Sequence, residues 1–250
     1  MKTAISWTNE TWNPVTGCSR VSEGCRNCYA ERLSLKHGWT QLPWTAANAT
    51  ENVRLRPERL TQPFKFPPGT MCFVNSMSDL FHELVPDSYI DRVLDTIEAL
   101  PDIVFQVLTK RSKRLRQWER WPHNLWMGVS VENAQNLHRV EDLRCCGAKL
   151  KFVSCEPLLG PLDELDLTNI DWVIVGGESG PNFRKMNMAW ARTVRDICRQ
   201  AGVPFYFKQD SGYRPELRPY LIEPDGSQTV IREYPNALHV KSNLNFSNHR

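Results

Sequence analysis

Short apolar runs, each closed by polar or turn-forming residues, recur along most of the chain. "MCFVNSMSDL" (71–80) reads as a strand that turns polar at Asn75 and Ser76. "DIVFQVLTKR" (102–111), "LWMGVSVE" (125–132), "LKFVSCEPLLG" (150–160), "DWVIVGGESG" (171–180) and "VPFYFKQDSG" (203–212) repeat that design. Between them lie stretches with helical spacing. "DSYIDRVLDTIEAL" (87–100) places Ile90, Val93, Leu94, Ile97 and Leu100 on one face, with Asp87 as a cap. "NAQNLHRVEDLRCC" (133–146) and "NMAWARTVRDICRQAG" (187–202) follow the same rule, the second stopped by Gly202. A first strand is expected near Glu10 to Val15.

Strands that alternate with helices and are apolar almost throughout predict a parallel sheet covered by helices. The predicted strand ends fall near residues 15, 76, 109, 131, 155, 176 and 207. That spacing predicts an α/β fold, a partial or near-complete (β/α) barrel over residues 1–212. A doubly wound open sheet is the alternative, but no Gly-rich phosphate fingerprint follows the first strand. Residues 36–69, with several prolines and two tryptophans, break the rhythm and read as a loop insertion. Residues 213–250 read as a C-terminal extension with a hairpin around Asp225-Gly226.

Composition changes this picture little. There is no apolar run of about 18 residues and no secretory h-region at the N-terminus, so a cytoplasmic protein without a membrane partner is expected. The net charge of +3 does not by itself indicate nucleic acid. The segment "LTKRSKRLRQWERW" (108–121) holds six Lys or Arg. It reads either as a solvated amphipathic helix or as a phosphate-binding surface.

The strand ends carry the candidate chemistry, because the loops there build the site of such barrels. They supply Asn75, Ser76 and Asp79; Thr109 and Lys110; Ser130 and Glu132; Ser154, Cys155 and Glu156; Gly176, Gly177 and Glu178; and Lys208 with Gln209. Any single Ser, Asn or Asp here also reads as a helix cap. Three glutamates at strand ends point instead to a polar bowl, which Gly176 and Gly177 would let a ligand approach closely. Side chains two apart share a face of a strand. Ser154 and Glu156 therefore go together, as do Ser130 and Glu132, and Cys155 faces the other way.

Eight cysteines in a cytoplasmic chain do not predict a disulfide framework. Three of them, Cys18, Cys25 and Cys28, fall in one loop, "GCSRVSEGCRNCYAER" (17–32), after the expected first strand. That loop opens on the same face as the bowl. Thiolates there could hold an iron–sulfur cluster with one iron left open, or a structural zinc with His37 as fourth ligand. Ordinary buried thiols are the third reading.

At this level the chain resembles the radical S-adenosylmethionine superfamily, which carries a three-cysteine loop after the first strand of a (β/α) barrel. The usual motif is C-x3-C-x2-C. Here it is C-x6-C-x2-C, with Asn27 where an aromatic is usual and Tyr29 after the last cysteine. More closely, "ISWTNETWNPVTGCSRVSEGCRNCYAERL", "LTKRSKRL", "GVSVEN", "SCEPLLGPL" and "DWVIVGGESG" resemble a phage-type three-Cys-motif family of uncharacterised bacterial and phage proteins. This resemblance runs from about residue 5 to 212. It implies a radical-SAM-like barrel with some similarity to spore photoproduct lyase. It implies Cys18, Cys25 and Cys28 on a [4Fe-4S] cluster that cleaves S-adenosylmethionine to a 5′-deoxyadenosyl radical, and an electron donor as partner.

Under that resemblance the cofactor-binding set is Tyr29, Asn75, Ser76, Asp79, Ser130, Glu132, Ser154, Glu156, Gly176 and Gly177. Glu132 is expected on the ribose. Glu156, Glu178, Lys110 and Lys208 are expected on the substrate side, and Cys155 is a candidate hydrogen donor. Phage occurrence points to a nucleic-acid base as substrate. Two other functions fit the same residues: a zinc-stabilised nucleic-acid-binding protein using the 110–120 segment, and a non-catalytic interaction protein.

Overall fold

The computed structural model describes residues 3–214 and 218–236. Its strands are β1 (Glu10–Trp12), β2 (Val15–Thr16), β3 (Arg54–Leu55), β4 (Met71–Val74), β5 (Val104–Thr109), β6 (Leu125–Ser130), β7 (Leu150–Cys155), β8 (Trp172–Gly176), β9 (Phe205–Gln209), β10 (Leu221–Ile222) and β11 (Gln228–Thr229). Its α-helices are α1 (Tyr29–Lys36), α2 (Ala49–Asn52), α3 (Asp87–Glu98), α4 (His138–Arg144) and α5 (Met188–Ala201).

Seven strands form one sheet in the order β1-β4-β5-β6-β7-β8-β9, and every neighbouring pair is parallel. The order never reverses along the chain. A doubly wound sheet reverses at a switch point, so this one is wound in a single direction and curls into a half-barrel.

Side-chain alternation divides the core in two. On the helix side, Cys72, Val74, Phe105, Val107, Met127, Val129, Val153, Cys155, Val173, Val175 and Phe207 join α3 and α5 in one buried cluster. On the concave side, Trp7, Phe73, Trp126, Phe152, Trp172, Ile174 and Tyr206 form a second. Its rings pack tilted or edge-on, with Trp7 and Phe73 centred 4.7 Å apart. Such pairs contribute about 0.5–1.5 kcal/mol each beyond area burial. Gly128 makes room for this plug, since a Cβ there would lie 2.4 Å from the Phe152 ring. Going up each strand, the inward residues turn from aromatic to polar: Trp126 to Ser130, Phe152 to Ser154, Tyr206 to Lys208. The barrel is therefore closed with aromatics at the bottom and polar at the mouth.

Helix α3 buries Ile90, Val93, Leu94 and Ile97, as its spacing predicts. Helix α5 is capped by Asn187, which accepts the Ala189 N–H at 2.9 Å, and stops at left-handed Gly202. The 133–146 segment is not one helix. A 3-10 turn over Ala134–Asn136, capped by Asn133, precedes α4. The basic 108–121 segment is not an amphipathic α-helix either, but a 3-10 turn over Ser112–Gln117.

Within the 36–69 insertion, β3 pairs antiparallel with β2 and ties it to the first strand. Gly17 packs under Asn52 with φ +80°, where a Cβ would lie 1.9 Å from the Asn52 carbonyl oxygen. In the extension, β10 and β11 form the hairpin around Asp225-Gly226. Residues 231–233 then run antiparallel to β9, with Phe207 N–H donating to the Ile231 carbonyl and Glu233 N–H to that of Phe205. Residues 215–217 and 237–250 of the extension lie outside the described residues. No helix among the described residues is long and apolar enough to cross a membrane.

Candidate functional site

The mouth of the half-barrel holds a cavity of about 230 Å³. Its floor is apolar, made by Ile5, Trp7, Phe73 and Leu108. Its wall carries Cys18, Cys25, Cys28, Tyr29, Asn75, Ser76, Asp79, Lys110, Ser130, Ser154, Glu156, Gly177, Glu178, Lys208 and Gln209. Most of the sequence-selected residues thus come together. Three do not line it: Glu132, Gly176 and Cys155.

Cysteines 18, 25 and 28 sit on a loop that climbs from β2 over the mouth and enters α1 directly after Cys28. All eight cysteines are free thiols. Burial pushes the Cys18 thiol up to about 12, against the opposing pull of Arg111, and Cys18 also feels the charges of Cys25 and Cys28. Burial raises Cys28 as well.

Three strand ends clamp this loop. Past β5, Arg111 reaches Cys18 and Ser19. Past β6, Glu132 accepts from Ser22 Oγ at 2.8 Å. Past β8, Glu178 accepts from Asn27 Nδ2 at 2.9 Å and from the Arg184 N–H at 2.7 Å. Arg184 returns to the loop through the Glu23 carbonyl at 2.9 Å. Within the loop, Arg20 pairs with Glu31 through Nε and Nη2 at 3.0 and 2.8 Å, and Glu31 also accepts the Trp44 N–H.

The three strand-end glutamates therefore have different roles. Glu132 is fully buried under the loop, between Lys110 Nζ (2.6 Å), Arg139 Nη1 (2.9 Å) and Ser22. Burial alone would raise its carboxyl, but Lys110 and Arg139 outweigh that and hold it below the usual carboxylate value. The resemblance implies Glu132 on a ribose; here it lies beneath the cavity wall and does not line the cavity. Glu178 borders the cavity but is tied to Asn27 and Arg184. For Glu178 too, the hydrogen bonds from Arg184 and Asn27 overcome burial and lower the pKa. Glu156 faces the cavity, accepting from Ser154 Oγ at 3.0 Å and pairing with Lys208 Nζ at 3.0 Å.

Gly24 belongs to the same clamp, since a Cβ there would stand 2.3 Å from Glu132 Oε1. Gly24→Ala is expected to cost about 1–3 kcal/mol by overpacking, read as a lower midpoint in urea unfolding. An unchanged midpoint would mean that the loop lifts freely off Glu132.

Gly176 and Gly177 make room for the chain itself. A Cβ on Gly176 would meet Glu156 Oε1 at 2.5 Å, and one on Gly177 would meet the Ser211 nitrogen at 2.3 Å. Asp79 is a hub: it accepts from Thr109 Oγ1 (2.7 Å), from the N–H groups of Phe81 and Lys110, and from Arg111. Tyr29 donates its hydroxyl to the Ser76 carbonyl at 2.7 Å. Cys155 lies in the helix-side cluster, as strand alternation requires, with its thiol pushed well up, chiefly by burial.

Among the described residues, two side-chain N–H donors of residues lining the cavity have no partner. Asn75, held at φ 62°, accepts the Val15 N–H through Oδ1, but its Nδ2 is unpaired. Trp7 Nε1 is unpaired as well, and both residues are 2 % exposed. A buried unpaired donor costs about 1–3 kcal/mol. Donors of this kind are satisfied by water or by a ligand with acceptor atoms.

Most cations of the basic segment are paired with acids, while Lys113 is exposed and makes no ion pair among the described residues. Arg114 pairs with Asp87, Arg116 with Asp142, Arg120 with Asp95 and Glu98, and Lys110 with Glu132. His37 is exposed and stacks on Trp39, away from the cavity wall. Among the described residues, no three His, Cys, Asp or Glu side chains are gathered as a single metal ion would need. A polynuclear cluster takes each thiolate on its own iron, so single-ion spacing is not its measure. Three soft donors on one cavity wall fit such a group.

Sequence reasoning missed Arg111, Ser22, Arg184 and Trp7. Trp7, Ser22 and Arg111 stand inside quoted motifs, but nothing in a sequence says which arginine of a basic run is buried.

The fold and the site define a parallel half-barrel protein with a three-thiol cavity at its mouth. Over residues 2–239 the chain matches the family described as protein of unknown function, DUF5131, and it belongs to that family. No curated protein and no solved structure matches it.

Proposed function

We propose that the protein is a radical S-adenosylmethionine enzyme. One observation carries this reading: Cys18, Cys25 and Cys28 share the wall of one cavity at the mouth of a parallel half-barrel. These thiols would hold a [4Fe-4S] cluster, leaving one iron without a protein ligand. The chemistry such a cluster supplies when bound is one-electron reductive cleavage of S-adenosylmethionine to methionine and a 5′-deoxyadenosyl radical, which takes hydrogen from a substrate.

The chain's own residues bind and orient. Asn75 and Trp7 line the cavity, and their side-chain N–H groups, unpaired among the described residues, are the donors left for acceptor atoms of the cofactor. The apolar floor gives a purine or a thioether a surface to rest on and keeps water out. Ser154 and Lys208 fix the Glu156 carboxylate at the cavity wall, where it accepts from ribose hydroxyls or from substrate donors. Lys208 and Lys110 stand on the substrate side. The reading also requires a one-electron donor as partner.

Anaerobic reconstitution with iron and sulfide is the test. The protein should take up about four irons per chain. With dithionite and S-adenosylmethionine it should release 5′-deoxyadenosine, detected by chromatography. Uptake of one zinc in place of iron, or a loaded protein that forms no 5′-deoxyadenosine, would sink the proposal.

A further inference from the structure

Arg111 lies two residues beyond the end of β5, against the cysteine loop, and its side chain is 4 % exposed. All five of its guanidinium N–H donors can be accounted for. Nε donates to Glu83 Oε2 at 2.9 Å. Nη1 donates to Cys18 Sγ at 3.4 Å and to Asp79 Oδ2 at 3.3 Å. Nη2 donates to the Ser19 carbonyl at 2.9 Å and to Ser19 Oγ at 3.0 Å. The backbone is fixed too, because the Arg111 N–H donates to Thr109 Oγ1, which itself donates to Asp79. His82 buttresses the far side. Its Nδ1 accepts the Leu84 N–H at 3.1 Å, so its Nε2 carries the proton and donates to Ser19 Oγ at 2.9 Å.

An arginine that served only to neutralise Asp79 would not need to reach a cysteine sulfur. We infer that Arg111 is a positioning residue for the iron–sulfur cluster: it seats Cys18 and, through its bond to the Cys18 sulfur, makes the cluster easier to reduce. This rests on the cluster reading proposed above. Reduction adds one negative charge beside the thiolates. A hydrogen bond to a ligand sulfur and a buried cation both stabilise that charge, and so raise the reduction potential.

The carboxylates around Arg111 sharpen the effect. Glu83 is 65 % exposed and screened by water, but Asp79 is buried. Removing the guanidinium therefore deletes a donor and also leaves the Asp79 charge uncompensated near Cys18. Both changes disfavour the reduced state. Lysine would keep the charge but not the five-donor fork.

The experiment compares reconstituted wild type with Arg111→Gln, Arg111→Lys and Ser19→Ala. Iron content and the midpoint potential are measured by optical titration with dithionite. One electron passes from dithionite to the cluster, and no bond is made or broken. All four proteins should hold iron as wild type does. At the wild-type midpoint, the ratio of reduced to oxidised cluster in Arg111→Gln should be about tenfold lower, equivalent to a potential lower by about 59 mV for one electron. Arg111→Lys should fall between the two. Ser19→Ala removes one contact of the clamp but leaves the bond to sulfur, so its potential should not move. An unshifted Arg111→Gln with full iron would overturn the inference. So would an equal shift in Ser19→Ala, or loss of iron from both arginine variants, since either would reduce Arg111 to a loop clamp. A wild type that binds no iron would instead defeat the cluster reading itself.

Discussion

Cys25→Ala is expected to lose essentially all of its reconstituted iron while unfolding at the same urea midpoint as the parent, within about 0.5 kcal/mol. The loop is fastened by Arg20 to Glu31, Ser22 to Glu132, Asn27 to Glu178 and Arg111 to Ser19. The Cys25 thiol touches this set only through a long contact with Ser22 Oγ at 3.9 Å. The Cys25 side chain is also only partly buried, so deleting its sulfur leaves no core cavity. Iron and sulfide assays alongside urea unfolding followed by tryptophan fluorescence check the two halves of the expectation together. Full iron retention in Cys25→Ala would remove that residue from the ligand set. Global unfolding would mean that the cysteine supports the fold, and would count against a purely functional loop.

Much of the scaffold is legible in the sequence because a parallel strand buried on both faces leaves a plain signal. The runs ending near 76, 109, 131, 155, 176 and 207 are the strands β4 to β9, in the order of the chain. The first strand is only three residues long, yet "ETW" sits inside the expected range. Where the reading of local structure slipped, a tertiary contact decided the outcome. The basic segment after Lys110 has a helical pattern of charge, but each of Arg114, Arg116 and Arg120 leaves the turn to meet an acid on α3 or α4. Ion pairs between elements have no signature in a single segment.

The site divides in the same way. Strand ends lead to a shared cavity because the topology brings them there, and alternation correctly turns Cys155 away from it. Alternation also pairs Ser130 with Glu132, and both turn toward the mouth while Val129 and Val131 pack on the helix side, but only Ser130 lines the cavity. Val131 and Glu132 lie past the end of β6, where the cysteine loop covers Glu132 and takes it out of the cavity wall. A buried carboxylate and a ligand-binding carboxylate look the same in sequence. What separates them is a pair of cations, Lys110 just past β5 and Arg139 on α4, that only the folded chain brings to one point.

That cluster supports the second large expectation. Glu132→Ala should destabilise the protein by about 3–5 kcal/mol, because it leaves the Lys110 and Arg139 charges facing each other in a buried site. Glu132→Gln keeps the shape and one acceptor oxygen, so it should cost less but remain well above 1 kcal/mol. The acid limb of the stability curve gives an independent check. Lys110 and Arg139 hold the folded Glu132 carboxyl below its ordinary value near 4.5, against the upward push of burial. A depressed carboxylate contributes stability that is fully present above the unfolded value and is lost as pH falls through the folded one. Wild type should therefore lose stability below about pH 4.5 more steeply than Glu132→Gln, whose side chain does not titrate. Urea midpoints measured between about pH 3 and 7 test both claims. A Glu132→Ala variant within about 0.5 kcal/mol of the parent, with an unchanged acid limb, would show that the cysteine loop is held without this buried charge.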